Sequence, residues 1–95
     1  MAYNLSLQTE AIHEIRNAFD WYEEQKEGLG YEFLEEIEVC YNNLRTYPER
    51  YSYINQSSYR RIKTTRFPYI LIYEIWGDDV VVNSVRHIKR KSYKP

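Results

Sequence analysis

A chain of 95 residues makes one domain, spanning 1–95, with a single modest core that buries about two thirds of its unfolded surface. Its formal charge of −1 hides a polarised molecule: residues 1–58 hold four basic and eleven acidic side chains, residues 59–95 nine basic and three acidic. One cysteine, Cys40, excludes a disulfide framework and a cysteine-based zinc cluster.

The N-terminus, Met1-Ala2-Tyr3-Asn4, lacks the charged-then-apolar signature of a signal peptide, and the apolar run Ile70 to Tyr73 is far too short to span a bilayer. A soluble cytoplasmic protein with no membrane partner is expected. Tyr3 to Leu7 alternates, with Leu5 and Leu7 on one face, as a short strand does. Thr9 then suits an N-cap, with Glu10 in the favourable first turn of a helix that ends near Gln25 or Lys26. Ile12, Ile15, Phe19 and Tyr22 form its buried stripe, with Ala11 and Ala18 beside them. Gly28-Leu29-Gly30 makes a turn, and a second helix runs from Tyr31 to about Tyr47, where Pro48 stops it. Phe33, Leu34, Ile37, Cys40, Tyr41 and Leu44 line its apolar side. The outer face of this helical hairpin is acidic, through Asp20, Glu23, Glu24, Glu27, Glu32, Glu35 and Glu36.

Residues 49–58 read as a polar connection. Tyr59 to Thr65 forms a strand that places Arg61 and Lys63 on one face and Ile62 on the other. Tyr69 to Trp76 is apolar on both faces, as in a central, doubly covered strand. Gly77-Asp78-Asp79 turns the chain into a last strand, Val80 to Ile88. The expected fold is α+β: a small, mostly antiparallel four-stranded sheet in the order β-α-α-β-β-β, with the helical hairpin on one face and cations on the other.

No P-loop, G-x-S-x-G, H-E-x-x-H or C-x-x-C motif is present, and no cofactor or metal is implied. The chemistry-bearing residues are the cations Arg60, Arg61, Lys63, Arg66, Arg86, Lys89, Arg90, Lys91 and Lys94. Arginine presents a planar bidentate donor to phosphate, and Tyr69, Tyr73 and Tyr93 could stack bases. The same charges also suit a solvated sheet edge that resists aggregation. Cations beside His87 favour its neutral imidazole near pH 7, fit for general acid or base work, although a strand-end histidine equally suits a structural hydrogen bond. Metal-free RNA cleavage needs a base, cations for the phosphorane charge and an acid, roles open to Arg61, Lys63, His87, Arg90 and Tyr93.

Arg60-Arg61-Ile62, then Arg66-Phe67-Pro68-Tyr69-x-x-x-Tyr73, then Val85-x-His87-x-x-Arg90, in that order of elements, resemble the RelE/ParE toxin superfamily over essentially the whole chain. The resemblance implies the toxin of a bacterial type II toxin–antitoxin pair of the plasmid stabilisation type, bound by a cognate antitoxin in a hetero-oligomer. ParE-like members block DNA gyrase; RelE-like members cleave mRNA on the ribosome without a metal; an inactive member would only bind antitoxin. For the enzymatic branch the resemblance puts Arg61, Lys63, His87, Arg90 and Tyr93 in catalysis. Arg60, Arg66, Arg86, Lys89 and Lys91 would bind nucleic acid or target. RelE-like enzymes usually place an arginine directly after the aromatic of the central strand. That position is Ile70 here, and the Phe67-Pro68-Tyr69 strand leans towards the ParE-like branch.

Overall fold

The computed structural model describes residues 2–89. β1 (Asn4–Leu7) runs into α1 (Thr9–Gln25) and α2 (Leu29–Thr46); a 3-10 turn (Pro48–Arg50) then precedes β2 (Arg60–Lys63), β3 (Tyr69–Trp76) and β4 (Asp79–His87). The strands lie in the order β1-β4-β3-β2. β2, β3 and β4 are antiparallel, and β1 is parallel to β4, so the α+β sheet is mixed. β1 and β4 are joined through all the intervening elements, and a long crossover permits the parallel pairing that a tight turn forbids.

Local details depart from the sequence pattern for identifiable reasons. Gln8, not Thr9, holds the N-cap position of α1, with extended backbone and no side-chain cap. The sheet dictates this, because the Gln8 N–H donates to the Val82 carbonyl at 2.9 Å and the chain passes from strand to helix without a spacer. α2 starts at Leu29, two residues earlier than the glycine pair suggested. Gly28 alone supplies the left-handed turn, at φ 90. Gly30 lies inside the helix and serves close packing: a Cβ there would sit 2.7 Å from the Phe19 ring and 2.8 Å from the Phe19 carbonyl oxygen. Glu23 of α1 accepts hydrogen bonds from the N–H groups of Gly28 (3.2 Å) and Gly30 (2.7 Å), so one helix caps the next.

Both helices cover the same face of the sheet. α1 contributes Ala11, Ala18 and Tyr22 to the core, and α2 contributes Phe33, Ile37, Cys40 and Leu44. Beneath them lie Ile62, Leu71, Tyr73, Val80, Val82 and Val85. Because α1 rests on its two small alanines, Ile12 turns outward and is 46% exposed, against the expected stripe. One end of the core is aromatic, with Tyr22 against Phe67 (4.9 Å between centroids) and Phe33 against Tyr69 (5.1 Å). Such edge-on pairs add about 0.5–1.5 kcal/mol each beyond the area they bury.

β3 is central, but it is not covered on both sides. Tyr69, Leu71 and Tyr73 are buried, whereas Ile70 and Ile72 are half-buried on an open face. Two helices suffice for one face only. β4 carries a bulge: Ile72 pairs with Ser84 while Tyr73 pairs with Val82, leaving Asn83 extra. The alternation therefore changes phase, and Val80, Val82, Val85 and His87 all belong to the helix-covered face. Beyond the end of β1, the Val85 N–H donates to the Glu14 carboxylate at 2.6 Å.

Gly30→Ala should separate the two helices and cost about 1–3 kcal/mol, the usual range for overpacking. Urea unfolding would show this as a lower midpoint with an unchanged slope.

Candidate functional site

Strand register assembles the site. Arg61, Ile72 and Ser84 lie side by side across β2, β3 and β4, and so do Lys63, Ile70 and Arg86. Arg61, Lys63 and Arg86 thus share the open face around two isoleucines. Among the described residues, Arg61 and Lys63 are exposed and enter no ion pair. Arg86 lies with its Nε 3.3 Å from the Ser84 hydroxyl, and its charge also acts on Glu14. A cleft of about 830 Å³ extends from this face along the outer edge of β2, where α2 supplies Val39 and Asn43 and the segment after it supplies Arg50, Tyr51 and Ser52.

The other arginines of the cationic set are placed differently. Arg60, on the opposite face of β2, donates to the carbonyls of Glu49 (3.0 Å) and Tyr51 (2.8 Å) and to the Tyr53 hydroxyl (2.8 Å). Its guanidinium also stacks 4.0 Å above the Tyr53 ring. Tyr73 reinforces it by donating its hydroxyl to the Pro48 carbonyl at 2.5 Å, and burial raises the pKa of that hydroxyl far above the usual phenol. Arg66 pairs with Glu32 at 2.5 Å and covers the Phe67 ring. Glu36 accepts from the backbone N–H groups of Thr65 and Arg66, both at 2.9 Å. Three carboxylates of the acidic hairpin, Glu23, Glu32 and Glu36, therefore tie elements together. Arg90, Lys91 and Tyr93 lie outside the described residues.

His87 faces Tyr69 across the sheet, edge-on at 5.1 Å, at the rim of the cleft. Its Nδ1 accepts the Lys89 N–H at 3.1 Å. Lys89 is exposed just past β4. Burial pushes the Cys40 thiol up to about 11, with Glu36 adding to the rise, so it stays protonated at neutral pH and is no nucleophile.

Arg50 was not in the sequence-derived set. It sits in the acidic half of the chain, and no periodicity assigns the residues around it to an element. The structure brings it to the cleft with Arg61 and Lys63, its guanidinium 4.8 Å from the Tyr47 ring.

Glu14 lies on the sheet side of α1 with its pKa raised by burial and by Glu10, partly offset by the Val85 hydrogen bond and Arg86. A carboxyl raised in the folded state binds its proton more tightly there than when unfolded. Its contribution to stability is therefore full below its ordinary 4.5 and is lost as pH rises through the folded value. Glu14→Gln keeps an acceptor for Val85, and its stability relative to the native protein should improve as pH rises from 4.5 towards 7. Chemical denaturation across that range would read the trend. Arg60→Ala should cost about 2–3 kcal/mol, since three acceptors lose a charged donor. Arg61→Ala should stay within about 0.5 kcal/mol in the same measurement.

A family profile described as ParE toxin of type II toxin-antitoxin system, parDE, matches residues 5–91. No curated protein gives a significant match. Among solved structures, the chain is similar to one from the chromosomal ParDE system of P. aeruginosa, with TM-score 0.81 and 11% identity over 93% of this chain and 98% of that one. It is also similar to a chain of the intact E. coli RelBE toxin-antitoxin complex, with TM-score 0.70 and 22% identity over 94% and 100%. The isolated E. coli RelE toxin gives TM-score 0.69 and 23% identity over 97% and 92%. At these identities the structures establish a shared fold.

Proposed function

The chain belongs to the ParE toxin family of type II toxin–antitoxin systems, and from that premise we propose that it arrests bacterial growth by binding DNA gyrase and is neutralised by a cognate antitoxin. The observation that carries the choice of a binding inhibitor over a nuclease is the placement of His87. The bulge turns it to the covered face, opposite the one that carries Arg61 and Lys63, where its Nδ1 accepts the Lys89 N–H. Arg61, Lys63 and Arg86 then stand beside Ile70, Ile72 and Ser84, an arrangement of cations and apolar groups suited to holding a partner. No helix among the described residues is long and apolar enough to cross a membrane.

The rival reading is a ribosome-dependent, metal-free endoribonuclease, favoured by the adjacency of Arg61 and Lys63 on one face. Such an enzyme would use those cations on the phosphorane charge, and single substitutions would abolish a chemical step. In a binding inhibitor the same substitutions weaken affinity by a graded amount.

Two measurements on the induced and purified chain separate the readings. Primer extension on cellular mRNA should show intact transcripts during growth arrest, and the purified chain should inhibit supercoiling by gyrase. Arg61→Ala should raise the inhibitory concentration about tenfold, the equivalent of roughly 1.4 kcal/mol. Discrete cleavages within translated frames that vanish in Arg61→Ala would overturn the binding reading in favour of the nuclease.

A further inference from the structure

The wall of the cleft beside the edge of β2 is built with unusual care for a connecting segment. Residues 48–51 run past the edge of the sheet, and three of their four backbone carbonyls are anchored: Pro48 by the Tyr73 hydroxyl, Glu49 and Tyr51 by the Arg60 guanidinium. Between the anchored carbonyls stands Arg50, exposed, braced by the Tyr47 ring and lining the cleft. Arg61 is drawn to the same wall by its backbone, whose N–H donates to the Ser52 carbonyl at 3.2 Å. Two buried or half-buried side chains from the sheet thus fix the position of one exposed cation.

The rest of the cleft suggests what that cation meets. Val39 is 54% exposed and Ile88 44% exposed, and both line it with the half-buried Ile70. Cations spread among exposed aliphatic groups match carboxylates interspersed with apolar side chains better than a phosphodiester chain, whose charges repeat at every backbone unit with no aliphatic side chains between them.

We propose that Arg50 is a target-binding cation of this cleft, held in place by Arg60 and Tyr73 as positioning residues, and that the cleft takes an acidic, partly apolar polypeptide segment of the target. This rests on the binding-inhibitor reading and specifies its contact. The deciding experiment compares the full chain with Arg50→Ala, Arg50→Lys, Tyr73→Phe and Arg16→Ala. The last removes one charge from the exposed side of α1. Each is assayed for melting temperature, for the salt that elutes it from immobilised poly-L-glutamate, and for inhibition of gyrase supercoiling.

Arg50→Ala should elute at lower salt than Arg16→Ala and inhibit about tenfold less well, with melting unchanged, and Arg50→Lys should recover most of the loss. Tyr73→Phe leaves the charge untouched, so a lower eluting salt in this variant reports positioning alone. Co-elution of Arg50→Ala with Arg16→Ala would overturn the role of Arg50, and unchanged elution of Tyr73→Phe would overturn the positioning. Arg50-dependent retention that is stronger on double-stranded DNA cellulose than on polyglutamate would overturn the polypeptide occupant. Retention on polyglutamate does not require gyrase, so a chain that binds it through Arg50 yet leaves supercoiling untouched would refute the gyrase reading and spare this one.

Discussion

Between Val82 and Ser84, β4 carries one residue more than the strand it pairs with, and the placement of every side chain after that point follows from it. Residues beyond an unbroken alternation would have set Arg86 on the face of Val80 and Val82, beneath the helices. The bulge instead returns Val85 to the core and sends Arg86 to the open side, level with Lys63 and Ile70. A bulge leaves backbone groups short of partners, and β1 is too short to reach Val85. Glu14 closes that gap from α1, which makes the helix part of the sheet edge.

A second constraint is that only one face of the sheet is covered. Seventeen residues in α1 and eighteen in α2 both go to the same side. The other side keeps Ile70 and Ile72 half-exposed among cations, a surface that is apolar at its centre and charged at its margins. This is how protein interfaces are commonly composed, and it is consistent with a small domain whose stability rises when a partner binds.

The basic residues divide by role. Arg60 and Arg66 are adjacent in composition to Arg61 and Lys63, yet their guanidinium groups serve carbonyls, a carboxylate and aromatic rings of the same molecule. Arg61 and Lys63 face outward, and Arg50 joins them from a distant part of the sequence. A charge count over the last third of the chain thus mixes cations that build the fold with cations that face a partner. Likewise, the acidic hairpin surface includes Glu23, Glu32 and Glu36, each of which joins two elements.

The sequence by itself determined the element order, the buried stripe of α2, the central position of β3 and the shared face of Arg61 and Lys63. Each of these is a local property: hydrophobic period, a glycine or proline break, and the two-residue alternation of a short strand all act within a few residues. The family resemblance carried by Arg66-Phe67-Pro68-Tyr69 and the residues around His87 was legible for the same reason. What only the tertiary structure decided depends on pairing between distant segments. Val80, Val81 and Val82 are equally apolar, so nothing in β4 alone fixes its phase; the partner strand and Glu14 do. The side taken by His87, the commitment of Arg60 to the segment at Pro48 to Tyr51, and the arrival of Arg50 in the cleft all follow from that long-range registry, which short-range pattern does not encode.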